Sequence, residues 1–582
     1  MASPTEPPTK QASNVDIAPR ESGSSSSSHL KGQGNTKPGT KWSRFRDSFR
    51  KMEELDPLAN KDMTDLEKAV AATSNAHLSR SLKTRHLQMI AIGGAIGTGL
   101  FVGSGSALRT GGPAALLIGW ILVGTMIYCT LAVTFPVSGA FAAYSTRFLD
   151  PSWGFAMGSL YALNWLIILP LELVAASITV SYWKSDVNNA AWVSIFYVLI
   201  LAINMFGVKG YGEAEFVFSI IKVIAVIGFI FLGIILNCGG GPQGGYIGGT
   251  FWRDPGAFAN GFKGVCSVFV TAAFAFTGTE MVGLAAAESE NPRKSLPKAT
   301  KQVFWRITLF YIVSLTLVGL LVRYDDDRLI GTSSVDASAS PFVIAINNGG
   351  IKGLPSVMNV VILIAVLSVG NSAVYGCSRT LASLAAQGLL PHFLAYIDRK
   401  GRPLAGIAMS ALFGLLCFVS ASDKQGEVFA WLMALVGLSS CFTWGSICLC
   451  HIRFRQALTF YGRDTSELAF TSQATVYGSW WGFIMNILIM IAQFWIALFP
   501  LHDNPDPAVF FKNYLAFPIV IAMYVGHKIY LKNWIMYVKL PQIDIDSGRR
   551  DLDLDKVKQE LAEERLELAL KPFYYRVYKF WC

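Results

Sequence analysis

From about residue 86 to residue 530 the chain alternates apolar runs of roughly twenty residues with short polar connections, the length that crosses a bilayer as a helix. The runs are His86–Leu108, Ala114–Phe135, Gly154–Tyr182, Ala191–Met205, Ala214–Leu236 and Phe262–Ala287, then Val303–Val322, Pro355–Ala385, Pro403–Ala421, Glu427–His451, Trp480–Pro500 and Phe511–Tyr530. Each predicts a spanning helix, twelve in all. Two of them are interrupted. The first contains Gly93–Gly105, GGAIGTGLFVGSG, with six glycines in thirteen residues. Glycine weakens a helix by about 1 kcal/mol relative to alanine, so this stretch predicts either a break in mid-span or a seam of close helix packing. The sixth carries Phe274–Glu280, FAFTGTE, which places small and polar residues in mid-span.

Breaks in the first and sixth helices occupy matching positions in two five-helix halves. That pattern predicts an all-α transporter with an inverted repeat, broken helices 1 and 6, two peripheral helices and a site at the midplane. Freed amides at the start of a half-helix suit an anion such as a carboxylate. Phe276 is read either as a lid over substrate or as one more packed aromatic.

Charge refines the picture. Hydrophobic residues make up 52% of the chain and charged ones 15%, which excludes a string of soluble domains. The net charge of +10 calls for no nucleic-acid partner. Basic residues gather in alternate loops: Arg293, Lys294, Lys298, Lys301 and Arg306; Arg379, Arg399, Lys400 and Arg402; Arg453, Arg455 and Arg463. The opposite loops are poor in them or acidic, as at Asp325, Asp326 and Asp327, so both termini are expected in the cytosol. Three charges within spans stand out: Glu172, Lys222 and Glu280. Charged groups at that depth either pair to hold the bundle or carry protons. The nine cysteines form no metal-like or disulfide spacing, and no nucleophilic triad, metal cluster or phosphate loop is present. An enzyme is not expected, and neither is a cofactor other than protons as coupling ion.

Residues 1–80 are rich in Ser, Pro, Lys and Glu and predict a disordered cytosolic tail. Its basic patch, Lys37, Lys41, Arg44, Arg46, Arg50 and Lys51, reads as a solvated flank of the membrane or as a contact for anionic lipid. The twelve-helix domain is expected over 81–535. A cytosolic tail follows over 536–582, with an amphipathic helix at Asp551–Leu570 and Cys582 at its end beside aromatic and basic residues. Such a cysteine is a candidate for S-palmitoylation.

The stretches SRSLKTRHLQMIAIGGAIGTGLFVGSG, PVSGAFAAYSTRFLDPSWGFAMG, LPLELVAASITVSYW, FAFTGTEMVGLAAAESENPRKSLPKA, VLSVGNSAVYGCSRTLASLAAQG and SSCFTWGSICLCHIRFRQAL resemble the fungal amino acid permeases of the amino acid–polyamine–organocation superfamily, general amino acid permeases among them. The resemblance runs from Ser81 to Cys582. It implies a plasma-membrane symporter that takes up L-amino acids with protons by alternating access, over a broad range. It further implies that Gly94, Ala95, Ile96, Gly97, Thr98 and Gly99 surround the substrate carboxylate, and that Phe274, Phe276 and Thr277 meet its amino group and side chain. By the same resemblance Lys222 matches a lysine on the fifth helix of proton-coupled relatives, and Ser439, Ser440 and Thr443 help to set selectivity on the tenth. Surface removal through ubiquitin ligases is also implied, and Lys10, Lys31, Lys37, Lys41 and Lys51 are the tail lysines available. An amino acid sensor of the same fold, with little net flux, is the competing reading.

In one place the chain departs from the family. A Gly-Glu pair is expected just before LAVTFPVSGAF, yet Cys129-Thr130 runs straight into Leu131. The helix is shorter by about six residues, about 9 Å at 1.5 Å rise per residue. Three consequences stand open: Glu172 or Glu280 serves in place of the missing acid, the shortened form transports poorly, or the coding sequence is mis-assigned.

Overall fold

The computed structural model describes residues 42, 46–51, 81–94, 96–130, 140–183, 187–243, 245–286, 288–289, 299–303, 305–330, 340–421, 425–465, 474–501 and 504–546, with scattered residues between 559 and 575. Ala95, Lys10, Lys31, Lys37, Lys41, Cys582, the shortened join after Thr130 and most of Asp551–Leu570 lie outside that set. The chain divides into two units, Met1–Asp47 and Ser48–Cys582, and only Trp42, Arg46 and Asp47 of the first are described.

The second unit is an all-α polytopic membrane protein. Helix α1 is Thr84–Gly93, and after a break the chain passes through a π-helical turn, Gly99–Gly103, into α2, Ser104–Thr130. Within α2, Gly112 has φ 82° and ψ 172° and is followed by Pro113, which divides the first expected segment from the second. Glycine tolerates that backbone without strain, and proline begins a helix without needing its N–H. Next come α3 (Ala140–Phe148), α4 (Pro151–Ser181), α5 (Asn189–Met205) and α6 (Gly207–Asn237). The sixth segment is split into α7 (Gly261–Phe276) and α8 (Met281–Ala286). A π-helical turn, Arg306–Val313, leads into α9 (Ser314–Leu321). After α10 (Pro341–Asn348) come α11 (Leu354–Ala386), α12 (Leu404–Gly414), α13 (Gln425–Phe460) and α14 (Thr475–Leu498). The last segment is a pair, α15 (Pro507–Tyr514) and α16 (Ala516–Leu531), bent by 65°.

Among the described residues, eight helical stretches are long and apolar enough to cross a membrane, and the bent pair passes the same test when taken together. Helices α5 and α12 belong to shorter apolar stretches. Their placement follows burial. The most apolar window of α4 is 94% buried and that of α14 only 33%. A helix apolar all round belongs in the centre, so α4 is the post of the bundle, packed along α11. Helix α14 turns Ile484, Leu488, Ile491 and Trp495 outward, as a lipid-facing helix does. Asp150 fixes the start of α4: it accepts from the Trp153 amide at 3.0 Å as an N-cap and from Lys528 Nζ of α16 at 2.8 Å.

Helices α3 and α10 were not expected from the apolar pattern, being too short to register as spans. Helix α10 inserts Phe342 between Phe101, at a ring distance of 5.1 Å, and Phe229 at 4.6 Å, while Ser340 Oγ donates to the Phe101 carbonyl at 2.6 Å. Residues 48–51, within the stretch expected as a tail, are seated on the loop after α11. The Arg399 amide donates to the Arg50 carbonyl at 3.0 Å, and the guanidinium of Arg402 lies 4.5 Å from the centre of the Phe49 ring.

The loop charges need correction. Arg306, Arg379 and Arg402, counted above among solvated loop residues, are all buried. Arg379 pairs with Glu288 at 2.8 Å, Arg402 pairs with Asp398 at 2.6 Å, and Arg306 lies wholly inside the seventh segment. Arg306 and Arg402 sit within a turn of an expected boundary and Arg379 six residues inside one, so where the helices end decides whether these side chains meet water or the interior. Two of the three acidic loop residues are likewise neutralised. Asp325 pairs with Arg323 and Asp326 with Arg328, and the hydrogen bonds from these guanidinium groups hold both carboxyls below their usual range.

Candidate functional site

The first break follows Gly93. The Gly94 amide still bonds the Ile90 carbonyl, the Ile96 amide turns back to the Gly93 carbonyl at 3.0 Å, and the helix resumes with the Leu100 and Phe101 amides both on the Gly97 carbonyl. Helix formation leaves the first-turn amides of the second half without intrahelical acceptors and the last carbonyls of α1 without donors. Both readings of the glycines hold together, because the break is also tightly packed. A Cβ at Gly93 would lie 2.2 Å from Ser219 Oγ, at Gly97 2.4 Å from a Val369 methyl, and at Gly99 2.3 Å from Ala275 Cα. Gly99 therefore meets the backbone of α7 directly, and the two interrupted helices touch near their breaks.

The carbonyl end of α1 is closed by buried donors. Lys222 Nζ on α6 donates to the Gly93 carbonyl at 2.6 Å and to Ser368 Oγ at 2.8 Å, and lies 3.5 Å from Glu215 Oε1. Ser368 Oγ stands 2.7 Å from both oxygens of Glu215, and Ser219 Oγ donates to the Met89 carbonyl at 3.1 Å. A cation at a helix carbonyl end is favoured by the dipole, and the carboxylate balances its charge. On the other side of the break, Thr98 Oγ1 donates to Glu172 of α4, which is fully buried.

The second break spans Thr277–Glu280, with Gly278 at φ 93°. Glu280 accepts from the Gly278 amide at 3.2 Å, from Trp444 Nε1 of α13 at 3.2 Å and from Tyr161 OH of α4 at 3.3 Å. With so many donors it serves as a tie between helices. Thr277 Oγ1 and Ser440 Oγ are 2.8 Å apart, which joins this break to α13. Ser439 and Thr443 return their hydroxyls to their own helix, at the Leu435 and Ser439 carbonyls. Phe274 is buried at the end of α7. Phe276 is fully buried 4.5 Å from the Tyr311 ring, so in this conformation it is a packed aromatic.

Of the expected residues, then, Gly97, Thr98, Gly99, Glu172 and Lys222 gather at the first break, and Phe274, Thr277, Glu280 and Ser440 at the second. Sequence reasoning missed Glu215, Ser368, Tyr161, Trp444 and Arg306. Only Glu215 carried a readable signal: it stands seven residues before Lys222, two turns along the same helix face.

Two broken helices apposed inside an all-α membrane bundle, with their opened ends lined by buried polar groups, define a transporter with a central site. The sequence model described as "Amino acid permease" matches residues 86–539, and the chain belongs to that family. It is 64% identical to the general amino-acid permease GAP2 of Candida albicans over 557 residues, covering 94% of this chain and 95% of the relative. It is 61% identical to the general amino-acid permease GAP1 of Saccharomyces cerevisiae over 561 residues, covering 94% and 92%. The histidine permease of Saccharomyces cerevisiae is 54% identical over 522 residues, covering 88% and 87%. The protein is a membrane transporter of amino acids.

Proposed function

We infer that the chain is a proton-coupled symporter that takes up a broad range of L-amino acids across the plasma membrane by alternating access, with both termini in the cytosol. The broad range is supported by its likeness to two relatives named general amino-acid permeases. The observation that carries coupling is the placement of two ionisable groups on either side of one break: Lys222 on the Gly93 carbonyl and Glu172 on Thr98. The substrate's carboxylate is assigned to the amides of Gly94–Gly99, its amino group to the carbonyl end at Phe274–Thr277. An ionised Glu172 would repel that carboxylate, and a protonated one does not. Substrate and proton therefore bind together, and each raises the affinity for the other by the same factor.

Lys222 has a complementary role. Its ammonium holds the end of α1 against α6 and α11, and loss of the proton releases that hold. Glu280, tied by amide, indole and phenol, is the structural member of the three charges. No observation favours a sensor, and relatives 61% and 64% identical are both named permeases. The test is uptake of labelled amino acids into cells lacking their own permeases, over a range of external pH and with a protonophore. Uptake that rises as external pH falls and collapses with the protonophore is expected. Uptake indifferent to both removes the coupling, and binding without uptake establishes the sensor.

A further inference from the structure

Arg306 opens the π-helical turn of the seventh segment and has 0% of its surface exposed. One terminal nitrogen donates to the Ala91 carbonyl at 2.7 Å, in the last turn of α1, and the other donates to Thr279 Oγ1 in the second break. Among the described residues its Nε has no hydrogen-bond partner and no carboxylate forms an ion pair with it. The other buried arginines noted above behave differently: Arg379 pairs with Glu288 and Arg402 with Asp398. A guanidinium held in a membrane interior without a direct ion pair is costly, and Glu280 balances it only through space. The contact that adds to this is with the carbonyl end of α1, the negative end of that helix dipole. The planar fork lets one side chain reach two acceptors on different elements, which a lysine does poorly.

Those two acceptors belong to the two interrupted helices. We propose that Arg306 is a positioning residue that clamps the first break to the second and so sets the spacing between the groups that receive the two ends of the substrate. An α-amino acid carries its carboxylate and ammonium at a fixed separation, whatever its side chain. A site that takes the carboxylate at one break and the ammonium at the other must hold the breaks in register to within a fraction of an ångström. The amides at Gly94–Gly99 and the carbonyls at Phe274–Thr277 lie on separate pieces of backbone, and within each break only three-residue turn bonds, such as Ile96 to Gly93 and Thr279 to Phe276, carry the chain across. Arg306 supplies a link from outside both. It reaches α1 through Ala91 and the second break through Thr279, while Tyr311, further along the same segment, donates to the Ala275 carbonyl at 3.0 Å. The seventh segment is thus a brace across both interrupted helices.

The clamp acts on the part of the substrate common to all amino acids, and this separates it from a selectivity residue. It rests on the reading that the two breaks hold the carboxylate and the amino group. The test measures uptake kinetics, normalised to surface protein, for every member of a labelled neutral, aromatic and cationic panel that the wild type carries. Thr279→Val keeps the shape and removes the acceptor, along with the hydroxyl's own 2.7 Å bond to the Phe276 carbonyl; Arg306→Lys keeps the charge and removes the fork; Arg306→Gln removes both. In Thr279→Val and Arg306→Lys, KM is expected to rise by about tenfold, the effect of losing one hydrogen bond to a charged group, while the maximal rate per surface molecule is preserved. The factor should be the same for every substrate in the panel. Arg306→Gln should do at least as much, and Thr279→Val added to it should do nothing more. If Arg306→Gln fails to reach the surface, Thr279→Val and Arg306→Lys decide together, and both must show the rise. An unchanged KM in Thr279→Val, a rise confined to one class of side chain, or additive effects in the double variant each overturn the clamp. Gly97→Val keeps the two readings apart. If Gly97→Val transports normally, the site reading falls; if it is inactive while Thr279→Val is wild type, the clamp alone falls.

Discussion

The Nζ of Lys222 lies 2.6 Å from the carbonyl oxygen of Gly93, the last residue of α1. A half-helix thus ends on a side chain from a neighbouring element, and that side chain can gain or lose a proton. Glu215, at 3.5 Å, is the counter-charge.

Removing one member of that pair leaves the other buried without a partner, at a cost of about 3–5 kcal/mol. Glu215→Leu is therefore expected to lower thermal stability sharply, and Glu215→Leu with Lys222→Met to recover much of it. Thermal unfolding of detergent-solubilised protein followed by size-exclusion fluorescence gives the comparison. Equal stability of the single and double variants would mean that the pair contributes nothing. Lys222→Ala, if it reaches the surface, should transport without dependence of accumulation on external pH; a full pH dependence would make Lys222 structural.

Glu172→Gln imitates the protonated carboxyl permanently. Its substrate affinity should be insensitive to external pH, matching the wild type at acid pH and exceeding it at neutral pH. Accumulation against a gradient should fail, because no proton is carried. Equilibrium exchange and net uptake, measured side by side at acid and neutral pH, separate the two effects. Wild-type accumulation in this variant would move the coupling elsewhere.

Gly97→Val should abolish uptake with the protein still at the cell surface. A Cβ there would sit 2.4 Å from a Val369 methyl, so steric conflict and loss of backbone approach need separating. Val369→Ala makes room. If Gly97→Ala with Val369→Ala restores uptake in full, the glycine serves packing; if uptake stays low, the amides of the break need open access.

The tail lysines Lys10, Lys31, Lys37, Lys41 and Lys51 are expected to carry ubiquitin. Replacing all five by Arg keeps the charge and removes the acceptor amine. The half-life of the permease at the surface, followed by fluorescence after amino acid addition, should lengthen several-fold, on the order of the loss of a main degradation route. Unchanged turnover points to other lysines.

Cys582 is expected to carry an acyl chain. The last span already tethers the tail, so an acyl chain's contribution of about 0.8 kcal/mol per buried CH₂ should alter tail docking and trafficking and leave insertion intact. Acyl-exchange labelling should show a signal in wild type that Cys582→Ser lacks; equal signals dispose of the idea.

Much of this protein was legible in its sequence, for a reason rooted in the solvent. In lipid each helix must satisfy its backbone within itself, so spans announce themselves locally by hydropathy, and breaks by glycine and small polar residues. Lys222, Glu172 and Glu280 stood out because a charge inside an apolar run is costly wherever it points. Side-chain partnership was not legible. Arg306 read as one more loop cation because it lies three residues inside an uncertain boundary, and its acceptor Ala91 is 215 positions away. Ser368 meets Lys222 and Glu215 only when α6 and α11 pack, and Phe276 is assigned to packing by the ring of Tyr311. Hydropathy reports the free energy of moving a segment from water to lipid and depends on that segment alone. A buried ion pair, a helix-end cap or a clamp between two breaks depends on which segments become neighbours, and only the tertiary fold decides that.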